Sequence, residues 1–209
     1  MPRPRSLSHD QLAAAALAVL DRDGLAALSM RAVAKELGMS TMALYRYVRD
    51  RDELELLVVE FVLAAVDTGA PDAGLPWRER IEVLVRRMRD TLGAHPSVVP
   101  LTMPHRHHSL ALLRWSETVL TVLTGAGFDG ERRVIALRSL IAYVNGALQL
   151  EHLGALSGAG TAAISALPPE DFPLMAATGR SARQVDPERE FFGGLAVLLR
   201  GLADRVPDA

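Results

Sequence analysis

The chain has 209 residues, of which 49% are apolar and 23% charged, and its net charge is −2. This length and apolar content suffice for one large helical domain or two small ones, and they exclude disorder as the dominant state. The absence of cysteine excludes a disulfide scaffold and a cysteine-bound metal site. The best apolar stretches, 54–66 and 134–150, contain charged or amide side chains, so we expect no membrane span.

The N-terminus loosely resembles a secretory signal, because Arg3 and Arg5 precede an apolar run at 12–20. Polar residues separate this basic pair from the apolar run, and acidic residues follow the run directly. We therefore expect no signal peptide, and we expect the protein to be cytoplasmic.

Helical periodicity dominates the chain and no strand pattern is found, which predicts an all-α protein. Caps and helix-ending glycines predict four helices in the first third, namely Ser8 to Gly24, Ser29 to Leu37, Ser40 or Thr41 to Tyr47, and Asp50 to about residue 67. Ser8 with Gln11 and Asp50 with Glu53 have the spacing of capping boxes. The apolar stripe of the fourth helix is Leu54, Leu57, Val58 and Phe61.

A turn or linker at 68–76, rich in Gly and Pro, separates these helices from a second section. The helices predicted there are Trp77 to Leu92, Ser109 to Thr124, Asp129 to about Ala155, and Asp186 to about Val206. The stretch 154–173 is rich in Gly, Ala and Pro and is predicted to be irregular.

Two of the later helices carry apolar residues at alternating spacings of three and four. These are Val134, Leu137, Ile141, Val144 and Leu148 in one helix, and Phe192, Leu195, Leu199, Leu202 and Val206 in the other. Such seams suit helix packing at shallow angles. They predict either an internal core face or a dimer interface, and two heptads are too few to decide.

Segment 30–47 has the layout of a helix-turn-helix, in which Gly38 allows the sharp turn between two short helices. The inward positions are Val33, Ala34, Leu37, Met39 and Leu44. The surrounding segment 29–51 has five basic residues against two acidic ones, and it contains two of the three tyrosines. This composition favours contact with a phosphate backbone, although a solvated helical face and a hairpin without a DNA role remain alternatives.

Residues 8–60, and above all LSMRAVAKELGMSTMALYRYVRDRDEL, resemble the N-terminal domain of the TetR (tetracycline-repressor) family of bacterial transcriptional regulators. PWRERIEVLVRRMRDTLGAHP and the closing FFGGLAVLLRGL are similar, at scattered positions, to the C-terminal domain of the tetracycline-repressor branch. The resemblance implies a helix-turn-helix DNA-binding domain at 1–50, a connecting helix at 51–67, and an effector-binding and dimerisation domain at 68–209. It also implies a homodimer, whose four-helix bundle is formed by the two seam helices.

By the same resemblance, the protein is a repressor that binds a palindromic double-stranded DNA operator and is released by a small molecule. The implied DNA contacts are Arg31, Thr41, Met42, Ala43, Tyr45, Arg46, Tyr47 and Arg51. Arg46 is the candidate for a guanine contact, with a phosphate contact as the alternative, and Leu44 belongs to the core. Arg3 and Arg5 are candidates for the minor groove.

The candidate effector pocket is largely apolar, and its ligand is expected to be apolar as well. The pocket candidates are Met88, Met103, His105, Trp115, Tyr143 and Gln149, although core packing also explains Met and Trp. Four histidines lie within 95–108, and they could be ordinary surface residues, ligand contacts or metal ligands. Some repressors of the branch bind a metal-chelated drug here, but the other polar positions of that site do not match.

Two other functions are alternatives to the ligand-responsive repressor. One is an enzyme that depends on the histidine cluster, which no Ser-His-Asp spacing, phosphate loop or HExxH motif supports. The other is a helical dimer that acts through protein partners. We expect no enzyme activity, no cofactor and no resident metal.

Overall fold

The structure is a computed structural model that describes residues 7–154 and 156–203, and over them it is helical without strands, as predicted. The α-helices of this part are α1 (His9–Asp23), α2 (Met30–Glu36), α3 (Thr41–Leu44), α4 (Arg51–Leu63), α5 (Trp77–Gly93), α6 (Val99–His105), α7 (Leu110–Gly125), α8 (Gly130–Leu153), α9 (Ala159–Ser165), α10 (Pro173–Ala182) and α11 (Pro187–Ala203). Short 3-10 turns lie at Leu25–Ala27 and Pro96–Val98. Arg3, Arg5, Ala155 and Val206 lie outside the described residues.

Side-chain caps start the first helices where the sequence predicts them. The Ser8 Oγ accepts from the Gln11 backbone N–H at 3.2 Å, and the Gln11 side chain accepts from the Ser8 N–H at 3.0 Å. Ser29 caps α2, and Ser40 rather than Thr41 caps α3. Each cap satisfies N–H groups that the first turn of a helix leaves without an intrahelical partner.

Two predicted caps differ in the structure. Asp50 caps α4, but the Glu53 carboxylate accepts from the Arg49 backbone N–H at 2.7 Å instead of reaching Asp50. Hydrogen bonds from the backbone and the side chain of Arg49 lower the pKa of Glu53, because they stabilise the charged carboxylate. Asp129 precedes α8 without a capping bond, and its carboxylate pairs with Arg132 instead.

Helix boundaries and helix number also required corrections. α3 ends at Leu44 rather than Tyr47, and the chain continues in a tight turn through i to i+3 bonds such as Tyr47 N–H to the Leu44 carbonyl. α6 was not predicted, because Pro100 and Pro104 interrupt its helical pattern. The stretch predicted to be irregular contains α9 and the start of α10.

The connecting helix α4 belongs to both halves of the molecule. It packs against α1 on the N-terminal side, and against α5, α6 and α7 on the C-terminal side. Buried side chains of α1 to α8 and of α11 form one continuous apolar cluster. Phe61 was expected in the core stripe of α4, but it is 38% exposed, because Val59, Val62 and Leu63 face inward instead.

In the second section, α5 packs against α7 and α8, and α11 packs against α8 and α5. α8 and α11 approach closely at Gly194, where a Cβ would meet the ring and hydroxyl of Tyr143. α9 and α10 pack chiefly against each other. Throughout the described ranges, every helix is too short or too polar to cross a membrane.

Candidate nucleic-acid interface and ligand cavity

A compact helix-turn-helix forms around the segment that the sequence singles out. Val33 and Leu44 are fully buried between α1, α2 and α3. Gly38 has φ +65° in the turn between α2 and α3, a conformation that side-chain-bearing residues rarely adopt. The Met39 N–H reaches back to the Ala34 carbonyl at 2.9 Å, so that the turn is closed by a backbone bond. The outer side of α3 is therefore held on a rigid support.

Several of the predicted DNA-contact residues are exposed on α2, on α3 and in the turn after α3. Met42 is 77% exposed and Tyr45 48%, and Arg31 and Arg46 are exposed as well. The structure shows no ion pair for either arginine within the residues it describes. Thr41, Ala43 and Tyr47 are half-buried, and Tyr47 packs against the core. Lys35 is also exposed on α2, although it is not among the predicted DNA contacts.

Arg51 differs from the other predicted contacts because its side chain is already bound within the protein. Its Nε donates to Glu55 at 2.6 Å, and its Nη2 lies 3.4 Å from the Leu25 carbonyl. A DNA phosphate would have to compete with these groups for the same guanidinium. The residue therefore ties the start of α4 to the turn after α1.

A cavity of about 430 Å³ opens between α5, α6, α7 and α8. This size lies within the usual range for small-molecule sites. Met88, Met103 and Trp115, three of the predicted pocket residues, line it. The Trp115 indole N–H donates to the Leu84 carbonyl at 3.0 Å, so the side chain offers the cavity only its ring.

The other three predicted pocket residues lie elsewhere. Tyr143 lines a second hollow of about 390 Å³ beside α11, and its hydroxyl donates to the Phe191 carbonyl. Burial raises the pKa of Tyr143, because it disfavours the charged phenolate. Gln149 is exposed on α8, and His105 points to α4. None of these three residues lines the large cavity, and their part in binding a ligand stays a prediction.

The four clustered histidines have separate surroundings. His107 lines the large cavity, and His108 is exposed. His95 pairs with Asp21 of α1 at 2.9 Å, and His105 pairs with Glu55 at 3.3 Å. Within the described chain, no three His, Asp or Glu side chains are grouped as a metal site would require.

Two carboxylates of α4 hold both ends of the turn between α6 and α7. Glu55 bridges Arg51 and His105, with its side chain only 12% exposed. One turn further along α4, Glu60 accepts from the Ser109 hydroxyl and from the Ala111 N–H. Arg106 and His107, which lie between these two anchors, line the cavity. The cavity wall is thus attached directly to the helix that enters the helix-turn-helix unit.

The two apolar seams face the interior of the subunit for most of their length. Leu137, Ile141 and Val144 line the cavity, and Leu148 is buried. Leu195, Leu199 and Leu202 are at most 7% exposed, and Phe192 is half-buried beneath Arg86. Leu137, Ile141 and Phe192 are half-buried, so only the exposed part of their side chains is available to a second subunit. Of the predicted interface residues, Val134 is open, at 56% exposure.

This combination of a helix-turn-helix head, a shared connecting helix and a ligand-sized cavity defines a class of helical transcriptional regulators. Residues 12–56 match the family described as bacterial regulatory proteins, tetR family. Residues 70–206 match the tetracyclin repressor-like C-terminal domain. The chain belongs to the TetR family, and its second section is of the tetracycline-repressor-like type. Membership in a family of regulators decides against the histidine-dependent enzyme.

Individual relatives support this assignment. The HTH-type transcriptional repressor DrrR1 of Streptomyces coeruleorubidus is 32% identical over 146 residues, which are 70% of this chain and 54% of that protein. The chain therefore spans little more than half the length of that relative. ActR of Streptomyces coelicolor in complex with actinorhodin has a TM-score of 0.82 at 25% identity, covering 98% of this chain and 99% of that one. BioQ with its double-stranded DNA operator has a TM-score of 0.72 at 26% identity, covering 96% and 100%.

Proposed function

We propose that this protein is a cytoplasmic, ligand-responsive repressor that binds a palindromic operator as a homodimer and is released by a small molecule. The observation that carries the proposal is the attachment of the cavity wall to α4 through Glu55 and Glu60. A ligand that moves this wall must also move α4 or break these bonds. Because α4 enters the helix-turn-helix unit, the separation of two reading heads would change with it.

The proposed regions are the DNA-binding domain at 1–50, the connecting helix at 51–67 and the effector and dimer domain at 68–209. In the first region, the exposed side chains of α3 and its following turn enter the major groove. Thr41, Met42 and Ala43 face bases, where short or apolar groups suit thymine methyls. Arg31 and Arg46 reach guanine or phosphate, and the tyrosine hydroxyls reach phosphates.

The proposed homodimer uses the outward faces of α8 and α11. Ile135, Ala142 and Gly146 are exposed along α8, and Gly193 and Val197 along α11. Small residues at these positions leave room for the helices of a second subunit to approach closely. The apolar hollow beside Tyr143 lies between the two faces and offers a recess for a partner's side chain.

The named relatives provide independent support. BioQ has been crystallised with an operator, and ActR with actinorhodin, and both share this fold over nearly the whole chain. The common fold supports a DNA operator and a small-molecule effector as binding partners of this protein. The operator sequence and the effector compound depend on the site residues of each protein and not on the fold.

Selection of bound DNA from a random duplex pool tests the proposal, followed by a screen for compounds that release the selected sequence. We expect a palindromic consensus whose binding weakens steeply with salt. Retention of no duplex over random competitor would contradict the proposal and would favour a dimer that acts through protein partners.

The Arg46→Ala variant tests the reading head at single-position resolution. If Arg46 reads a base, we expect binding to weaken by about 1–3 kcal/mol at one operator position, with relaxed specificity there. Binding is measured against single-base operator variants, and Arg114→Ala on α7 is the control. Equal weakening for all variants, with a salt slope reduced by about 1, would assign Arg46 to a phosphate instead.

A further inference from the structure

The open side of the 430 Å³ cavity carries more positive than negative charge. Arg106 and His107 border it from the turn between α6 and α7, and Arg138 borders it from α8. Glu117 of α7 is the acidic residue of the lining. All four residues are exposed, so they surround the entrance while methionine, leucine and Trp115 line the interior.

These basic groups have unused donors. In the described parts of the chain, Arg138 and His107 make no side-chain hydrogen bond or ion pair. Arg106 donates one N–H to the Met103 carbonyl at 2.7 Å. By contrast, Arg86 and Arg89 of the neighbouring α5 are bound to Glu188 and Glu151. A guanidinium offers five N–H groups in a planar fork that matches a carboxylate, so the two arginines at the entrance are suited to an acid.

A second polar point faces the cavity from α6 and α8. The Thr102 hydroxyl donates to the Val99 carbonyl at 2.8 Å, and the Asn145 amide donates to the Thr102 oxygen at 3.1 Å. Thr102 has a single hydroxyl hydrogen, so its long contact of 3.5 Å with the Asn145 Oδ1 competes with the shorter bond to Val99. This oxygen can accept a hydrogen bond from a hydroxyl or N–H group of a ligand.

We propose that the effector is an amphiphilic acid with a flat apolar body. Its anionic group binds Arg106 and Arg138 at the entrance, its body packs on Trp115 and Met88, and a hydroxyl donates to Asn145. The proposal rests on the proposed function, since it specifies the ligand class of the same cavity. Charge-assisted bonds beside an apolar wall discriminate an acid from a neutral molecule of equal shape, which leaves both arginines unused.

A matched pair of fluorescent probes tests this charge preference on the full chain. We use 1-anilinonaphthalene-8-sulfonate, and N-phenyl-1-naphthylamine, which has the same body without the anion. All variants carry Trp77→Phe, so that Trp115 is the tryptophan donor and energy transfer to the naphthalene reports binding near the cavity. We expect Arg106→Gln and Arg138→Gln each to weaken the sulfonate about fivefold, and to change the neutral probe by less than about twofold. Glu117→Gln should strengthen the sulfonate, because it removes the opposing charge.

Arg114→Gln is the control, since this arginine is exposed on α7 outside the cavity lining. Equal affinity for both probes, or arginine variants that bind the sulfonate as the original protein does, would overturn the proposal. Operator binding of the same samples separates the two levels. If the protein binds its operator but binds both probes with equal affinity, only the proposal of an acidic effector is contradicted. If the protein binds no operator, the proposed repressor function is contradicted as well.

Discussion

At the scale of single residues, neighbouring positions on one helical turn have opposite tasks. In α3, which packs against α2, Leu44 is fully buried, while Met42 is 77% exposed. The buried residue holds the helix in place, and the exposed one is available to a partner. Alanine substitutions at these two positions can therefore separate stability from DNA recognition.

Leu44→Ala is expected to lower the free energy of unfolding by about 2–5 kcal/mol, because it leaves a cavity in a packed core. Met42→Ala should change it by less than about 0.5 kcal/mol, since its side chain is exposed, while operator binding weakens. Urea unfolding and operator titration measure the two effects. Loss of stability in Met42→Ala would contradict the assignment of its side chain to the outer surface.

Glu53 makes stability at the head of α4 depend on pH. Its folded-state pKa lies below the usual 4.5, because its carboxylate accepts hydrogen bonds from Arg49. Its contribution is therefore present above about pH 4.5 and is lost as the pH falls through the lowered folded-state value. We expect Glu53→Gln to be less stable near neutrality and to lose less stability on acidification.

Thermal unfolding between pH 3 and 7 checks this prediction. Asp52→Asn is the control, because Asp52 is exposed on the same turn and its carboxylate makes no hydrogen bond among the described residues. Parallel acid-side curves for the original protein and Glu53→Gln would contradict the role of Glu53.

At the scale of elements, α4 and the turn between α6 and α7 form one unit. Glu55 and Glu60 lie five residues apart on α4 and hold the two ends of the turn through His105 and Ser109. The polar bonds are half-buried, so breaking one leaves a partner without its bond in a poorly solvated place. The unit can therefore transmit a change at the cavity wall to the start of α4.

His105→Ala should loosen α4 and weaken the link between ligand and DNA. Loss of one half-buried hydrogen bond of ~1 kcal/mol predicts about fivefold faster hydrogen exchange for amides of α4. His108→Ala is the matched control, since His108 is exposed and its ring has no bonded partner in the described chain. Equal hydrogen exchange in both variants would show that the bond between Glu55 and His105 does not restrain α4.

At the scale of the whole molecule, the exposed stripe on α8 and α11 is the proposed contact with a second subunit. Val197 is 61% exposed at its centre, and Gly193 and Gly201 lie one turn away on either side. A long charged side chain there would be buried without a partner in the dimer, while it would remain in water in the monomer.

Val197→Arg is therefore expected to give a folded monomer that loses operator binding, since one head contacts only half of a palindrome. Light scattering on a sizing column measures the mass, and circular dichroism checks the fold. Thr121→Arg, at an exposed position on α7, should remain dimeric. A Val197→Arg protein that stays dimeric would place the interface elsewhere.

Local patterns predicted much of the fold. The periodicity and caps of α1, α2, α4, α5, α7 and α11 depend on residues close in sequence, so their positions were predicted to within a few residues. α6 was missed because its prolines hide a helix that packing against α4 and α8 supports. Tyr143 and His105 lie outside the lining of the large cavity, which the sequence did not indicate, because the neighbouring helices decide which face of a helix lines a space.

The amino-acid order by itself determined the helical class, the helix-turn-helix with its turn at Gly38, and the outward position of Tyr45 and Arg46, because all three follow from spacings within a few turns of chain. The tertiary structure decided that the seams of α8 and α11 turn inward and that Glu55 meets His105, 50 residues away. It also decided that Arg106 and Arg138 border one cavity. These outcomes depend on long-range packing, in which distant helices select one face of each other, and no short pattern in the chain records that choice.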